Sequence, residues 1–386
     1  MADPSRGRGA ICLAVSPALK AKGVKNRCRI FEIPESLEYI TALPRMKRYM
    51  QMSAEIYSIY LKYISPEDIH VYSIDECFID ITPYLGPYGK TPHGMARMLM
   101  DAVLRETGIS AAAGIGTNLF LAKVALDITA KKAADRIGYL DDAAFRREIW
   151  HHRPITDVWN IGRGTAARLA KYGVSDLHGV TLLPEERLFR EFGVNARYLI
   201  DHAHGIEPCT IADIHNYRSK SASLSNGQIL FEDYSADDAE IVLREMVDML
   251  TLELVEKHLV AGAVSLSVAY SKDVVRPTSG SRRLGEHTSS FKKIMPAFER
   301  LYRETVCRTA PIRRLNVGLE SVEDELYESI SLFSDPETDK KEKALQKAVI
   351  SIKGKYGKNA ILKGTSFREK ATGRQRNKLT GGHNSE

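Results

Sequence analysis

Two adjacent carboxylates, Asp75 and Glu76, lie between two short apolar segments that both predict β-strands, 68–74 and 78–81. A bend between strands breaks the strict alternation of side chains, so neighbouring carboxylates can both reach one ion. Carboxylate oxygens are ligands that Mg²⁺ prefers. Surface acids at a turn are the more common setting of an isolated Asp-Glu pair, but here the flanking strand formers favour a metal site.

The segments around this pair predict a ferredoxin-like unit. From Met50 to Ile64 apolar residues recur at intervals of three and four, which is typical of an amphipathic helix, and Pro66 predicts its end. Residues 92–106 predict a second helix and 109–116 a strand of small residues. The order helix, strand, strand, helix, strand matches a βαββαβ unit in which no good first strand precedes the helix.

Three further regions can be predicted from the pattern. Residues 11–18 predict a short strand entering a turn, and residues 151–206 predict short helices with short loops, one of which ends at Gly173. A second βαββαβ pattern follows from Lys220. It begins with a strand at 221–231 and a helix capped by Ser235, whose inward residues are Leu243, Met246, Leu250 and Leu254. A strand at 264–270 and a loop or weak strand come next. The pattern ends with a helix through Ile294, Phe298, Leu301 and Thr305 and a strand at 315–319.

Composition limits the class of protein. A chain of 386 residues that is 44% apolar predicts two to four domains. It contains no apolar run long enough to span a membrane and no apolar signal-peptide core at its start, so we expect no membrane partner. The five cysteines lack CxxC spacing, which argues against a disulfide framework or a zinc site and fits a reducing cytoplasm.

Basic residues are unevenly distributed, although the net charge is only +6. Basic pairs recur late in the chain, and the segment after Lys340 is rich in Lys and Arg. Local basic stretches fit contacts to a phosphate backbone, and solvated surface is an equally good explanation of any single cluster. The pairs are Arg282-Arg283, Lys292-Lys293 and Arg313-Arg314.

The glycine-containing segments exclude two nucleotide-binding motifs. Gly114 and Gly116 lack the third glycine of a dinucleotide fingerprint, and no P-loop sequence occurs. Residues 161–164 resemble the hairpin of a helix-hairpin-helix, in which backbone N–H groups at a helix N-terminus meet a phosphate. An ordinary helix–helix turn explains this segment equally well.

Two lysines are candidates for binding a triphosphate. Lys123 and Lys131 lie eight residues apart on a helix predicted from about Asn118. At about 100° per residue they would lie within about 80° of each other on that helix. Either could reach a triphosphate from the acidic pair, although solvated lysines are the ordinary interpretation of both.

Taken together, the motifs resemble those of the Y-family translesion DNA polymerases, the UmuC-type or ImpB/MucB/SamB group. Residues 73–80 (SIDECFID) are similar to its S-x-D-E palm motif, and 113–123 (AGIGTNLFLAK) to the stretch that follows. Residues 157–166 (DVWNIGRGTA) resemble its thumb hairpin, and 376–383 (RNKLTGGH) the closing signature of one bacterial branch. The matches occur in the family's order and cover nearly the whole chain.

The resemblance implies a multidomain α+β protein with the architecture of a right-hand polymerase. We expect a ferredoxin-like palm, a helical thumb with a helix-hairpin-helix, and a βαββαβ little finger. The implied domains are fingers at 1–45, palm at 46–150, thumb at 151–212, a linker at 213–222, the little finger at 223–333 and a basic C-terminal tail at 334–386.

The resemblance also implies an activity and its site. We expect error-prone, template-directed synthesis across damaged bases, on primer–template DNA with deoxynucleoside triphosphates and two Mg²⁺ ions, in the cytoplasm and as part of the damage (SOS) response. Asp75 and Glu76 match the catalytic metal ligands. Lys20 and Lys131, with Lys132 as the alternative to Lys131, match the triphosphate-binding residues. The residues expected to bind DNA are Gly162, Arg163, Gly164, Thr165, Arg313 and Arg314.

The sequence departs from the family pattern in two places. The family opens with a strand that carries another metal-binding Asp and aromatics that exclude ribonucleotides, and we expect this chain to begin downstream of that strand. Many relatives also carry a sliding-clamp peptide, Gln-Leu-Ser-Leu-Phe. Here residues 329–333 keep the apolar anchors Ile330, Leu332 and Phe333 without the Gln, so weaker clamp binding is expected.

Two alternatives to an active polymerase stay open at this point. The first is a truncated, catalytically silent relative that still grips DNA, which the expected absence of the first strand favours. The second is a palm-fold nucleotide cyclase, which shares the acidic ferredoxin-like core. The helical region and the second βαββαβ pattern argue against the cyclase.

Overall fold

Residues 1–219, 222–271, 274–325 and 336–385 are described by the computed structural model. Their contacts fall into two units, one formed by Tyr49–Arg218 and the other by Met1–Arg48 together with Ser219–Glu386. Within the described residues, no helix has both the length and the apolar content that crossing a membrane requires.

The first 48 residues are mostly irregular. A short helix, α1 (Pro17–Ala21), begins after Ser16, whose hydroxyl accepts the N–H of Leu19. The predicted strand at 11–18 is wrong: Ile11 forms one isolated bridge with Arg29. Pro17 in the first turn, after a capping Ser, favours a helix instead. A small core holds the segment together, built from Ala2, Cys12, Val15, Val24, Cys28 and Ile33.

Residues 46–140 contain the predicted order of elements around the acidic pair. They comprise α2 (Met46–Tyr60), β1 (Ile69–Val71), β2 (Cys77–Ile79), α3 (Thr82–Tyr88), α4 (Pro92–Thr107), β3 (Ala113–Gly116), α5 (Leu119–Val124), a π-helical turn (Ala125–Thr129) and β4 (Ile137–Leu140). Strands β1 and β2 pair antiparallel, and β3 and β4 pair parallel. Helix α3 and strand β4 were not predicted from the sequence.

The helical region predicted at 151–206 extends from 142 to 216 and has short connections. The helices are α6 (Asp142–Glu148), α7 (Arg163–Ala170), α8 (Leu177–Thr181), α9 (Glu185–Phe192), α10 (Ala196–Ala203) and α11 (Ile211–Asn216). Gly173, at φ +74°, follows α7 in the left-handed conformation that glycine adopts most easily. Phe120 and Phe145 meet edge to face in the core that joins α5 to these helices.

The second βαββαβ pattern is confirmed. It comprises β5 (Ala222–Tyr234), α12 (Ala236–Glu256), β6 (Leu259–Tyr270), β7 (Thr278–Thr288), α13 (Phe291–Thr305) and β8 (Ile312–Asp324). The strand order is β5-β8-β6-β7 with antiparallel neighbours. Ser235 caps α12, and the four residues predicted to face inward from that helix are all buried. The segment predicted as a loop or weak strand is the 11-residue strand β7.

The segment predicted as a basic tail is folded over most of its described length. It contains α14 (Pro336–Tyr356), α15 (Gly373–Arg376) and a hairpin of β9 (Leu379–Thr380) and β10 (His383–Asn384). Glu245 of α12 accepts hydrogen bonds from this segment, and Arg6 and Lys47 donate to its carbonyl oxygens at Gly382 and Ser385. The two ends of the chain therefore fold in one unit.

Candidate active site

The acidic pair lies in the turn of the β1–β2 hairpin. The N–H groups of Tyr72 and Ser73 both donate to the carbonyl oxygen of Glu76 at 3.0 Å, which closes the turn. Ser73 Oγ donates to Asp75 Oδ1 at 2.8 Å and accepts the N–H of Asp75 at 3.4 Å. Short polar side chains stabilise turns in this way. Ser73 therefore fixes the direction of an exposed carboxylate.

Glu76 is held by a buried lysine. Lys123 Nζ donates to both carboxylate oxygens of Glu76, at 3.0 and 2.9 Å, and to Asp127 Oδ1 at 3.1 Å. Lys123 is 7% exposed, whereas about a third of each carboxylate side chain stays exposed. The cluster therefore has one buried cation between two anions that still reach solvent.

These carboxylates decide the ionisation of Lys123. Burial alone would lower the pKa of its ammonium, but the hydrogen bonds and charges of Glu76 and Asp127 outweigh burial and hold the pKa above its usual value. Lys123 therefore stays protonated, and Glu76 faces a permanent positive charge.

Close packing of α5 against β3 fixes the position of Lys123. A Cβ on Gly114 would lie 2.2 Å from the carbonyl oxygen of Ala122, and one on Gly116 would lie 2.2 Å from the Ala122 nitrogen. Only glycine allows the helix to approach the strand this closely. Asn118 caps the helix by accepting the Leu121 N–H at 2.8 Å. The two glycines thus have a role in packing rather than in binding phosphate.

An aromatic cluster borders the lysine. Trp159 Nε1 donates to the hydroxyl of Tyr72 at 3.0 Å, and Tyr72 and Phe78 meet edge to face with centroids 5.5 Å apart. Lys123 Nζ lies 5.9 Å from the centre of the Tyr72 ring, within reach of a cation–π contact. The hairpin that carries Asp75 is therefore tied to the segment just before α7.

Comparison with known proteins identifies the family. The impB/mucB/samB family model matches residues 2–127, and the model of that family's C-terminal domain matches residues 221–332. A putative UV-damage repair protein, UvrX, of Bacillus subtilis is 31% identical over 98% of this chain and 89% of its own length. The chain belongs to the impB/mucB/samB family, the Y-family DNA polymerases.

Other relatives agree with that assignment. A protein named DNA polymerase IV 2 of Bacillus subtilis is 31% identical over 99% of this chain and 91% of its own length. A solved Y-family DNA polymerase chimera of Dbh and Dpo4 has the same fold, with a TM-score of 0.63 at 20% identity over 83% of this chain and 90% of that chain. The predicted family and fold class are confirmed, and so, at the level of the family, is DNA-directed DNA synthesis in repair.

Y-family polymerases use divalent metal ions, and the acidic pair suits one. Mg²⁺ is commonly bound through one or two carboxylates together with substrate phosphates and water. Asp75 is exposed and oriented by Ser73, so it can serve as a ligand without rearrangement. Glu76 can serve once Lys123 releases it. Among the described residues, no three His, Cys, Asp or Glu side chains converge to form a metal site by themselves.

The lysines predicted to bind the triphosphate lie on different elements of the fold. Lys131 and Lys132 are exposed and follow the π-helical turn, so the prediction of one helix carrying Lys123 and Lys131 is wrong. Lys20, in α1, belongs to the other unit. Of the lysines considered from the sequence, Lys123 is seen to donate to the acidic pair, through both carboxylate oxygens of Glu76.

The predicted DNA-binding residues fall in two places. Gly162 is the exposed N-cap residue of α7, and Arg163, Gly164 and Thr165 form its first turn. On β8, Arg313 lies 3.6 Å from Asp233 and Arg314 Nε donates to Asn316 at 3.1 Å. The predicted clamp residues Ile330, Leu332 and Phe333 lie outside the described residues.

Sequence reasoning missed the other contributors to the site. Asp127 follows Lys123 by four residues, which is the spacing of an ion pair on a helix, and this signal was available. Tyr72 and Trp159 meet across 87 residues of chain, and no local pattern predicts that contact.

Proposed function

We propose that this chain copies primer–template DNA past damaged bases, adding deoxynucleotides from their triphosphates with two Mg²⁺ ions bound at Asp75 and Glu76. The observation that carries the proposal is the oriented acidic pair in the hairpin turn of a Y-family fold. The reaction is attack of a primer 3′-hydroxyl on the α-phosphate of the incoming nucleotide, and pyrophosphate leaves. When bound, the ions stabilise the charge that develops on the attacking and leaving oxygens.

The side chains around the pair have distinct parts in this scheme. Ser73 orients Asp75, and Lys123 holds Glu76 in place. Lys20 and Lys131 neutralise the triphosphate. Electrostatic positioning of this kind supplies most of the catalysis in nucleotidyl and phosphoryl transfer.

Two surfaces suit the phosphate backbone of DNA. The exposed N-terminus of α7 presents backbone N–H groups beside Arg163, in the proposed thumb at 151–212. In the proposed little finger at 223–333, the sheet face away from α12 and α13 carries Arg314 and small polar side chains that leave room for a ligand. These side chains include Ser225, Ser265, Ser267, Ser279, Ser281 and Asn316.

Contact with the sliding clamp through Ile330, Leu332 and Phe333 completes the proposal. Its support is the apolar spacing in the sequence. A cytoplasmic location is consistent with the cysteine pattern.

Primer extension on intact and lesion-bearing templates tests the activity. We expect Mg²⁺-dependent extension on both, and Asp75→Asn or Glu76→Gln should lower the rate at least about 100-fold, which corresponds to about 3 kcal/mol of transition-state stabilisation. Asp101→Asn is the matched control, because it removes an exposed carboxylate from α4. Extension that survives both site substitutions would exclude these residues as the metal ligands.

One observation favours a second candidate, a DNA-binding relative without polymerase activity. Both oxygens of Glu76 are engaged by Lys123, and the described residues offer no third ligand beside the acidic pair. Such a protein would bind primer–template DNA with an affinity that falls steeply with salt concentration. It would extend no primer at any Mg²⁺ concentration, which separates it from the first candidate.

A further inference from the structure

Lys123 is placed where it opposes metal binding. Its ammonium contacts both oxygens that Glu76 would offer to a divalent ion, and it is buried. We propose that Lys123 is a positioning residue that holds Glu76 in the metal-free site and competes with divalent cations for its carboxylate. This inference rests on the proposed function, because it takes Glu76 as a metal ligand.

The competition involves side chains only, because the backbone that carries Lys123 is packed too closely to move away. Helix α5 lies against Gly114 and Gly116 without space for a Cβ at either. Tyr72 lies over the ammonium, and Trp159 holds the Tyr72 hydroxyl. Exchange of Lys123 for a metal ion therefore requires movement of side chains alone.

Asp127 keeps the exchange from leaving a buried charge without a partner. A buried ammonium that lost its counter-ion would be strongly destabilising. Lys123 already donates to Asp127 at 3.1 Å, one helical turn away, and keeps that contact when Glu76 turns to a metal ion. Lys123 thus competes with the metal ion for Glu76 and keeps Asp127 as its own counter-ion.

Binding of Mn²⁺ to the full chain, without DNA or nucleotide, tests the competition. The concentration of free Mn²⁺ is measured from its electron paramagnetic resonance signal during a titration. Lys123→Met should lower the dissociation constant at least about tenfold, the smallest effect that a contact ion pair usually has on a carboxylate's affinity for a proton. Lys123→Arg keeps the charge and should bind Mn²⁺ like the parent chain.

Two controls separate direct competition from general electrostatics and from misfolding. Lys90→Met removes the same charge from an exposed position of the same unit and should change the constant by less than about twofold, because exposed charges are screened. If Lys123→Met does not fold, Lys123→Gln carries the same expectation, since it keeps a donor for Glu76 without the charge.

A double substitution locates the effect. In Lys123→Met with Glu76→Gln, the gain in Mn²⁺ affinity should vanish. The inference is overturned if Lys123→Met binds no tighter than the parent, or if the gain persists without Glu76. A parent chain that extends primers while Lys123→Met shows no gain contradicts the competition alone. If neither the parent chain nor Lys123→Met binds Mn²⁺ and the parent extends no primer, the metal-site function and this inference are overturned together.

Discussion

Glu245 accepts a hydrogen bond from the backbone N–H of Gly373 at 2.8 Å, across 128 residues of the chain. The same carboxylate oxygen accepts the N–H of Thr372 at 2.9 Å. A Cβ on Gly373 would lie 2.6 Å from the other oxygen of Glu245. The C-terminal segment is therefore held to α12 by a charge-assisted contact, and a side chain at Gly373 would require Glu245 to move.

Gly373→Ala should destabilise the unit that contains α12. The added methyl group must displace a carboxylate held by two backbone donors, and overpacking of this kind costs about 1–3 kcal/mol. The measurement is the free energy of unfolding in a denaturant titration. Gly354→Ala is the control, because Gly354 lies in α14 with no atom near its Cβ position, and it should gain about 0.5–1 kcal/mol. Equal changes in unfolding free energy for Gly373→Ala and Gly354→Ala would contradict the contact between Gly373 and Glu245.

Gly116→Ala should disrupt the candidate active site and the fold around it. Its Cβ would overlap backbone atoms of α5, which carries Lys123, so the helix must move away from β3. We expect a loss of at least about 2 kcal/mol of stability and of most polymerase activity. Gly86→Ala, in α3, meets open space and should leave activity unchanged and raise stability by no more than about 1 kcal/mol. A normally stable and active Gly116→Ala would show that the packing tolerates the displacement.

Asp176 should contribute stability that is lost in acid. Burial alone would raise the pKa of its carboxyl, but the N–H of Gly179 and the guanidinium of Arg153 outweigh burial and hold the pKa below its usual value. A depressed pKa in the folded state adds stability that is present above the unfolded value, about 4, and is lost as pH falls through the folded value.

The difference in unfolding free energy between the parent chain and Asp176→Asn should therefore be largest near neutral pH and shrink below about pH 4. Asn still caps α8, so the comparison isolates the charge. Thermal unfolding at a series of pH values measures the difference. A difference that stays constant from neutral pH to pH 2 would contradict the assignment.

Two cysteines should differ in reactivity. Burial, reinforced by the charge of Glu76, raises the pKa of the Cys77 thiol to about 11, whereas the Thr309 hydroxyl and backbone N–H groups lower that of Cys307. At pH 8 about one Cys77 in a thousand is a thiolate. Iodoacetamide should therefore label Cys307 at least about tenfold faster than Cys77, as read by peptide mass spectrometry. Similar labelling rates would indicate that the hairpin opens readily.

The sequence predicted those elements whose apolar residues mark a face. Helix α12 is the clearest example, since Ser235 caps it and Leu243 and Leu250 repeat at helical spacing. Strand β7 was predicted only as a loop or weak strand, because its inward positions carry few apolar side chains. Gly280 faces Leu301 and Thr305 there, and Arg282 pairs with Glu304 at 2.7 Å. The buried face of β7 is therefore formed together with side chains of α13, which the local sequence of the strand does not reveal.

The sequence also predicted the part of the candidate site that a local pattern marks. Asp75 and Glu76 are marked by their position between two strands, and the structure has them in that turn. The prediction that Lys123 and Lys131 share one helix rested on a continuous α-helix from about Asn118. Ala130 instead donates to Ala125, five residues back, which ends the regular turn before Lys131. A π-helical turn depends on local packing and has no reliable sequence signal.

The unit built from both chain ends has a consequence for synthesis on the ribosome. Residues 1–48 leave the ribosome well before Gly382 and Ser385, whose carbonyl oxygens accept hydrogen bonds from Arg6 and Lys47. At about 5–20 residues per second, the early segment waits about 20–70 seconds for its partners. Residues 49–218 form their own unit and can fold during that interval. The contacts of Arg6 and Lys47 with the C-terminal segment therefore form only after residues 49–218 have been translated.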